Sequence, residues 1–245
     1  MLSIIDARTG DPVPARRGLT RVEAHVPGYD ATALRVLLVA DVLVRALEIG
    51  GTQVWTLLGA GRDRAELRAA GAALGIRPFE DGGDTGSGPG EGRVVHVVSE
   101  GGAAPDGVRV AVAPVEPADA FEDAASTPGV LAGADPGDLR LALLARRHGL
   151  PVRLDAAALD DAHDTLARWR RAVAGWARQP SKPVPDEVRE ELRSAWEDDL
   201  DVPGVLRVLR QVETADLPEG ARFETYAYAD RLLGLELTRD LGTLA

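Results

Sequence analysis

Residues 21–58, RVEAHVPGYDATALRVLLVADVLVRALEIGGTQVWTLL, decide the fold class. Arg21 to Val26 reads as a short strand, Ala31 to Ile49 as a helix and Thr52 to Leu58 as a second strand. Outward from this core, Arg62 to Leu74 reads as a helix ended by Gly75, which gives βαβα order. Arg93 to Val98 and Val108 to Ala113 are valine-rich runs of the kind a buried parallel sheet uses, and Leu2 to Asp6 is a further short strand. A sheet of four or five strands is expected. Gly82 to Gly92 (GGDTGSGPGEG) holds six glycines in eleven residues and reads as a flexible surface loop.

From Asp135 the pattern turns helical. Pro136-Gly137-Asp138 opens a helix to His148, stopped by Gly149 and Pro151. Asp155 caps a long helix to about Arg178, with Leu159, Leu166, Trp169, Val173 and Trp176 at helical spacing. Helices follow at about Pro185 to Trp196, Pro203 to Val212 and Phe223 to Leu235. The expected architecture is α/β: a Rossmann-like (HUP-type) parallel-sheet domain over 1–133, then an all-α helical bundle over 134–245.

Composition narrows the chemistry. The 245 residues are 45% hydrophobic and 27% charged, enough to bury a sizeable core. The 28 basic residues face 39 acidic ones, a net charge of −11, which argues against a broad basic surface for nucleic acid. All but one of the basic residues is arginine; Lys182 is the exception. Cysteine is absent, which removes disulfides, thiolate metal sites and cysteine nucleophiles. The longest apolar run, Val36 to Val44, is broken by Asp41 and falls short of the roughly 20 residues of a membrane span. The first residues lack signal-peptide features, so a cytoplasmic location is expected.

The usual motifs are missing or better explained by structure. A P-loop needs lysine after its glycines, and Lys182 lies in the proline-flanked linker Gln179-Pro180-Ser181-Lys182-Pro183. The turn Leu58-Gly59-Ala60-Gly61-Arg62-Asp63-Arg64 occupies the place of a dinucleotide fingerprint, but its third glycine is Arg64; an ordinary strand-to-helix turn is the simpler reading. His25, His96, His148 and His163 are scattered, and none forms a pair at helical spacing, so structural or surface roles and no metal are expected. Ser87 and Ser99 lack a nucleophile-elbow frame. Glu197-Asp198-Asp199-Leu200-Asp201 reads as an acidic loop that ends one helix and caps the next, rather than a cation site. Trp169, Trp176 and Trp196 read as core anchors.

Two stretches carry a resemblance: Gly28-Tyr29-Asp30-Ala31-Thr32 with its helix, and Ala134-Asp135-Pro136-Gly137-Asp138-Leu139-Arg140-Leu141-Ala142-Leu143-Leu144. Leu166 to Ala172 and Asp198-Asp199-Leu200-Asp201-Val202-Pro203-Gly204-Val205-Leu206 add to it. The chain resembles the cysteinyl-tRNA synthetase family, including its actinobacterial relative, the cysteine:glucosaminyl-inositol ligase of mycothiol biosynthesis. That family activates cysteine with ATP, using a His-Ile-Gly-His-like motif at the first helix, a Lys-Met-Ser-Lys-Ser segment and a zinc held partly by cysteine. Measured against it, Thr32 runs through Ala33-Leu34-Arg35 directly into the helix, so the first motif is deleted. No lysine precedes 182, and Phe121-Glu122-Asp123-Ala124-Ala125 falls near the place of the second; its acidic groups would repel a polyphosphate. The first zinc ligand aligns with Ala24. The family's large insertion is reduced to the Gly82 to Gly92 loop, and no anticodon domain is expected after Leu235.

These losses together imply a degenerate class I synthetase-like protein, inactive in cysteine adenylation and working through a protein partner, a second copy of itself or a small ligand. No metal or cofactor is called for. The alternative is an altered ATP-dependent ligase in which arginines replace lysine at phosphate. The ligand-binding candidates are Tyr29, Asp30, Thr32, Arg35, Gly59, Gly61 and Arg62, with Arg64 beside them, and no catalytic residue is assigned. Leu34, Arg35 and Trp55 are the side chains placed to fill the former cleft. Arg140, Arg146, Arg147, His148, Arg168, Arg170 and Arg171 are the one candidate basic patch, yet the net charge disfavours tRNA.

Overall fold

The computed structural model describes residues 1–15, 18–82, 93–117 and 134–242. The glycine-rich stretch beyond Gly82 and the Phe121 to Ala125 segment lie outside them. A hairpin of β1 (Ser3–Ile5) and β2 (Pro12–Pro14) comes first. The main sheet follows, from β3 (Leu19–Val26), β4 (Gln53–Ala60), β5 (Glu80–Asp81), β6 (Arg93–Ser99) and β7 (Val108–Val112). Its order is β5-β4-β3-β6-β7 with every pair parallel, the Rossmann-like arrangement expected. A two-stranded parallel patch joins β8 (Val115–Pro117) to β9 (Val152–Leu154).

The helices are α1 (Ala31–Ile49), α2 (Arg64–Ala73), α3 (Pro136–Leu144), α4 (Ala156–Trp176), α5 (Asp186–Glu197), α6 (Val202–Thr214) and α7 (Glu219–Leu233). Helix α1 is apolar around nearly its whole circumference, as a helix enclosed on all sides must be. It packs on β3, β4 and β6 and also touches α7. One continuous hydrophobic core therefore runs from Val22, Ala24 and Val26 through α1 to Trp169, Val205 and Leu232. Trp169, Trp176 and Trp196 are buried in it, as their spacing implies.

Helix α3 ends at Leu144, one turn short of the expected His148. The carbonyls of Arg147, His148 and Leu150 are taken instead by Arg35 and by the N–H of Ala113, so tertiary bonds draw this segment out of the helix. Strands β2, β5, β8 and β9 are too short to have shown a period in the sequence.

Candidate functional site

Two loops meet at the carboxyl ends of β3 and β4, where ligands of open α/β sheets bind. Pro27 to Asp30 leads from β3 into α1, and Gly61 to Asp63 leads from β4 into α2. Gly61 N–H donates to Val26 O at 3.1 Å and Arg62 N–H to Pro27 O at 3.2 Å. A Cβ on Gly61 would stand 2.5 Å from Pro27 O, so glycine is what lets the loops close. Tyr29 lies half-buried against the core; burial, then the nearby Glu66, pushes its hydroxyl pKa up. Arg62 is exposed. Tyr29, Asp30, Gly61 and Arg62 lie on these two loops, whereas Gly59 sits within β4, where a Cβ would stand 3.0 Å from His25 Nδ1.

The first turns of α1 are tied into the fold. Asp30 Oδ1 accepts the Ala33 N–H at 2.6 Å as the helix N-cap. Thr32 Oγ1 accepts the Val115 N–H at 3.1 Å. Leu34 and Arg35 are fully buried. Arg35 Nη1 donates to Ala113 O and Leu150 O, both at 2.7 Å, and Nη2 donates to Arg147 O at 2.9 Å. Burial lowers its pKa to about 10. The Arg35 guanidinium is thus enclosed and holds main-chain carbonyls. Trp55 is half-buried, its Nε1 donating to Glu80 Oε2 at 2.9 Å, and Arg64 pairs with Asp81 at 3.0 Å.

The basic patch does not form one face. Arg140 and Arg170 are buried, Arg147 pairs with Asp198 and Asp201, and Arg168 pairs with Glu213. The acidic loop is structural, as expected: Asp201 Oδ1 caps α6 through the Gly204 N–H at 3.0 Å, and Asp199 Oδ1 accepts from Ile5 N–H at 2.9 Å. His163 is exposed beside Asp138, whose carboxylate raises its pKa.

The structure joins two histidines the sequence left scattered. Glu23 and His25 alternate onto the face of β3 opposite the buried Val22, Ala24 and Val26, and β6 sets His96 beside Glu23. His25 Nε2 lies 2.9 Å from His96 Nδ1, and Glu23 Oε2 lies 3.5 Å and 3.3 Å from those nitrogens. Burial lowers the pKa of both rings, outweighing the pull of Glu23. Glu-x-His on a strand puts Glu23 and His25 on one face, which the sequence does carry, whereas their meeting with His96, 71 positions away from His25, has no local signal.

No protein-family model matches the chain. It is 42% identical over 89 residues, 36% of its own length, to L-cysteine:1D-myo-inositol 2-amino-2-deoxy-alpha-D-glucopyranoside ligase of Parafrankia sp. (strain EAN1pec), covering 19% of that protein. To the ligases of the same name from Streptomyces scabiei and Acidothermus cellulolyticus it is 36% and 37% identical over 110 and 107 residues, 43% of this chain and 26% of each relative. Over about two fifths of its length the chain is similar to these ligases. The matched part is about a fifth to a quarter of the ligases' own length. The thiolate zinc that the resemblance implies does not fit: the chain has no cysteine, and Ala24 is buried on the face of β3 away from His25. Among the described residues no helix is long and apolar enough to cross a membrane.

Proposed function

We propose that the chain is a ligase-like protein that has given up cysteine adenylation and acts by binding a protein partner or small ligand. The observation that carries this reading is the state of the first turns of α1. Asp30, Thr32 and Arg35 are each committed to a main-chain partner, leaving that helix start without a side chain ready to hold a polyphosphate. Similarity to the cysteine ligases supports the descent; the lone lysine at 182, far along the chain, supports the loss.

Arg62 favours a second reading, in which nucleotide binding survives without adenylation. It is exposed beside Gly61 at the start of α2, where Asp63 makes no side-chain cap bond. Cysteine-dependent exchange of pyrophosphate into ATP tests the first reading, with no exchange above the protein-free rate as the expected result. Exchange above it would restore the chain to the enzymes. Calorimetric titration with ATP and with a non-hydrolysable cysteinyl-adenylate analogue tests the second. Saturable heat abolished by Arg62→Ala supports retained nucleotide binding, and no heat with either ligand removes it.

A further inference from the structure

We propose that Glu23, His25 and His96 form a binding site for one divalent first-row transition cation, zinc the best match, on the sheet face opposite α1. Three ligand atoms converge there: His25 Nε2, His96 Nδ1 and Glu23 Oε2, separated by 2.9, 3.3 and 3.5 Å. A tetrahedral zinc with bonds of about 2.05 Å has ligand–ligand edges of about 3.3 Å, so these atoms stand close to three corners of such a tetrahedron. Two imidazoles and one carboxylate are a donor set that suits zinc and leaves the fourth position for water or a ligand.

The surroundings prepare these atoms for a cation. His96 Nε2 faces Asp106 O at 3.4 Å, and since a carbonyl only accepts, this contact favours the tautomer with its proton on Nε2 and its lone pair on Nδ1. In that tautomer His25 Nε2 carries the one proton between the rings and donates it to His96 Nδ1, and a metal takes its place once the His25 proton moves to Nδ1 and frees the Nε2 lone pair. Arg21 Nε stands 2.7 Å from Glu23 Oε1, angled off a hydrogen bond, and holds that carboxylate with Oε2 turned to the histidines. Leu57 and Val98, paired in register with Glu23 and His25, are buried on the same face and keep the site apolar around its donors.

Arg21 and Arg109 also bring positive charge to His96, which tempers affinity and argues for a three-donor site completed by an anionic or water ligand. The site is unrelated to the cysteine-held zinc of the resemblance, since Ala24 lies on the other face of the same strand. It stands independently of the proposed loss of adenylation.

The test is stoichiometry and spectroscopy on the full chain. Protein stripped with chelator and re-equilibrated with zinc should retain one zinc per chain. Cobalt in its place should give the intense visible absorption of a tetrahedral site. His25→Ala and Glu23→Gln should each weaken zinc, measured by competition with a chromophoric chelator, by more than about tenfold, the range seen when even supporting partners are lost. His163→Ala, at the exposed His163–Asp138 pair, should leave affinity unchanged. Metal-free circular dichroism establishes that the variants fold, and Glu23→Gln keeps the side-chain volume should His25→Ala not. Absence of stoichiometric zinc, equal affinity in the folded His25→Ala or Glu23→Gln variant, or loss confined to His163→Ala would overturn the assignment.

Discussion

Asp41 Oδ2 accepts from Arg140 Nη2 at 2.8 Å, with both side chains almost wholly excluded from solvent. The bond joins α1 to α3. Arg140 also donates to Leu233 O and Leu74 O, while Asp41 takes Arg45 at 2.8 Å and Arg77 at 3.2 Å. Burial raises the carboxyl's pKa, but Arg140 and Arg45 outweigh it and hold it below the usual range. Asp41→Asn leaves Arg140 as a buried charge without its counter-ion and should destabilise the chain by about 3–5 kcal/mol in urea unfolding. Asp41→Leu with Arg140→Met should recover much of that loss, because an apolar pair has no charge to desolvate. A double variant no more stable than Asp41→Asn would contradict this account.

Arg35 presents the opposite case, a buried cation held, among the described residues, by carbonyls alone. Arg35→Met removes three hydrogen bonds from Ala113, Arg147 and Leu150 and should lower stability by about 3 kcal/mol. If ATP binds at all, its affinity in the folded variant should be unchanged. An ATP affinity that falls with Arg35→Met while Arg62→Ala has no effect would return Arg35 to the ligand.

These arginines show what the sequence could and could not convey. The helix at Ala31–Ile49 and the valine-rich strands were legible because their patterns are local and long. Arg35 read as a ligand contact or a cleft filler and Arg140 as part of a basic patch, because nothing nearby in sequence reveals the carbonyls of Leu150 or Leu233 that receive them. His25 and His96 were equally opaque. They lie 71 positions apart and meet only through the β3–β6 register, which no single-strand pattern encodes.

Gly61 was read as a ligand-binding residue, and the structure gives it a steric duty as well. Gly61→Ala forces its Cβ against Pro27 O, part of the main chain, and should cost about 1–3 kcal/mol. Thermal unfolding compares it with Arg62→Ala, whose exposed side chain should leave the midpoint within the error of a surface change. Equal midpoints for the two variants would mean that the loop yields freely.

His148 supplies a pH dependence with a definite sign. Its Nδ1 faces Ala111 O at 3.1 Å and its Nε2 faces Asp199 Oδ2 at 3.2 Å. Both partners accept, so the ring fits the site best when both nitrogens carry protons. Burial opposes that charge, but the bond to Asp199 prevails and raises the pKa. A raised folded-state pKa means that the folded chain binds the proton more tightly than the unfolded one. The stabilisation is then fully present below the unfolded value of about 6.5 and fades as pH rises through the folded value. The stability difference between the native chain and His148→Gln should therefore be larger near about pH 5.5 than near about pH 9. Histidines 25 and 96 titrate in both proteins and cancel in that difference. A gap that widened toward alkaline pH would show that the neutral ring is the one the fold holds.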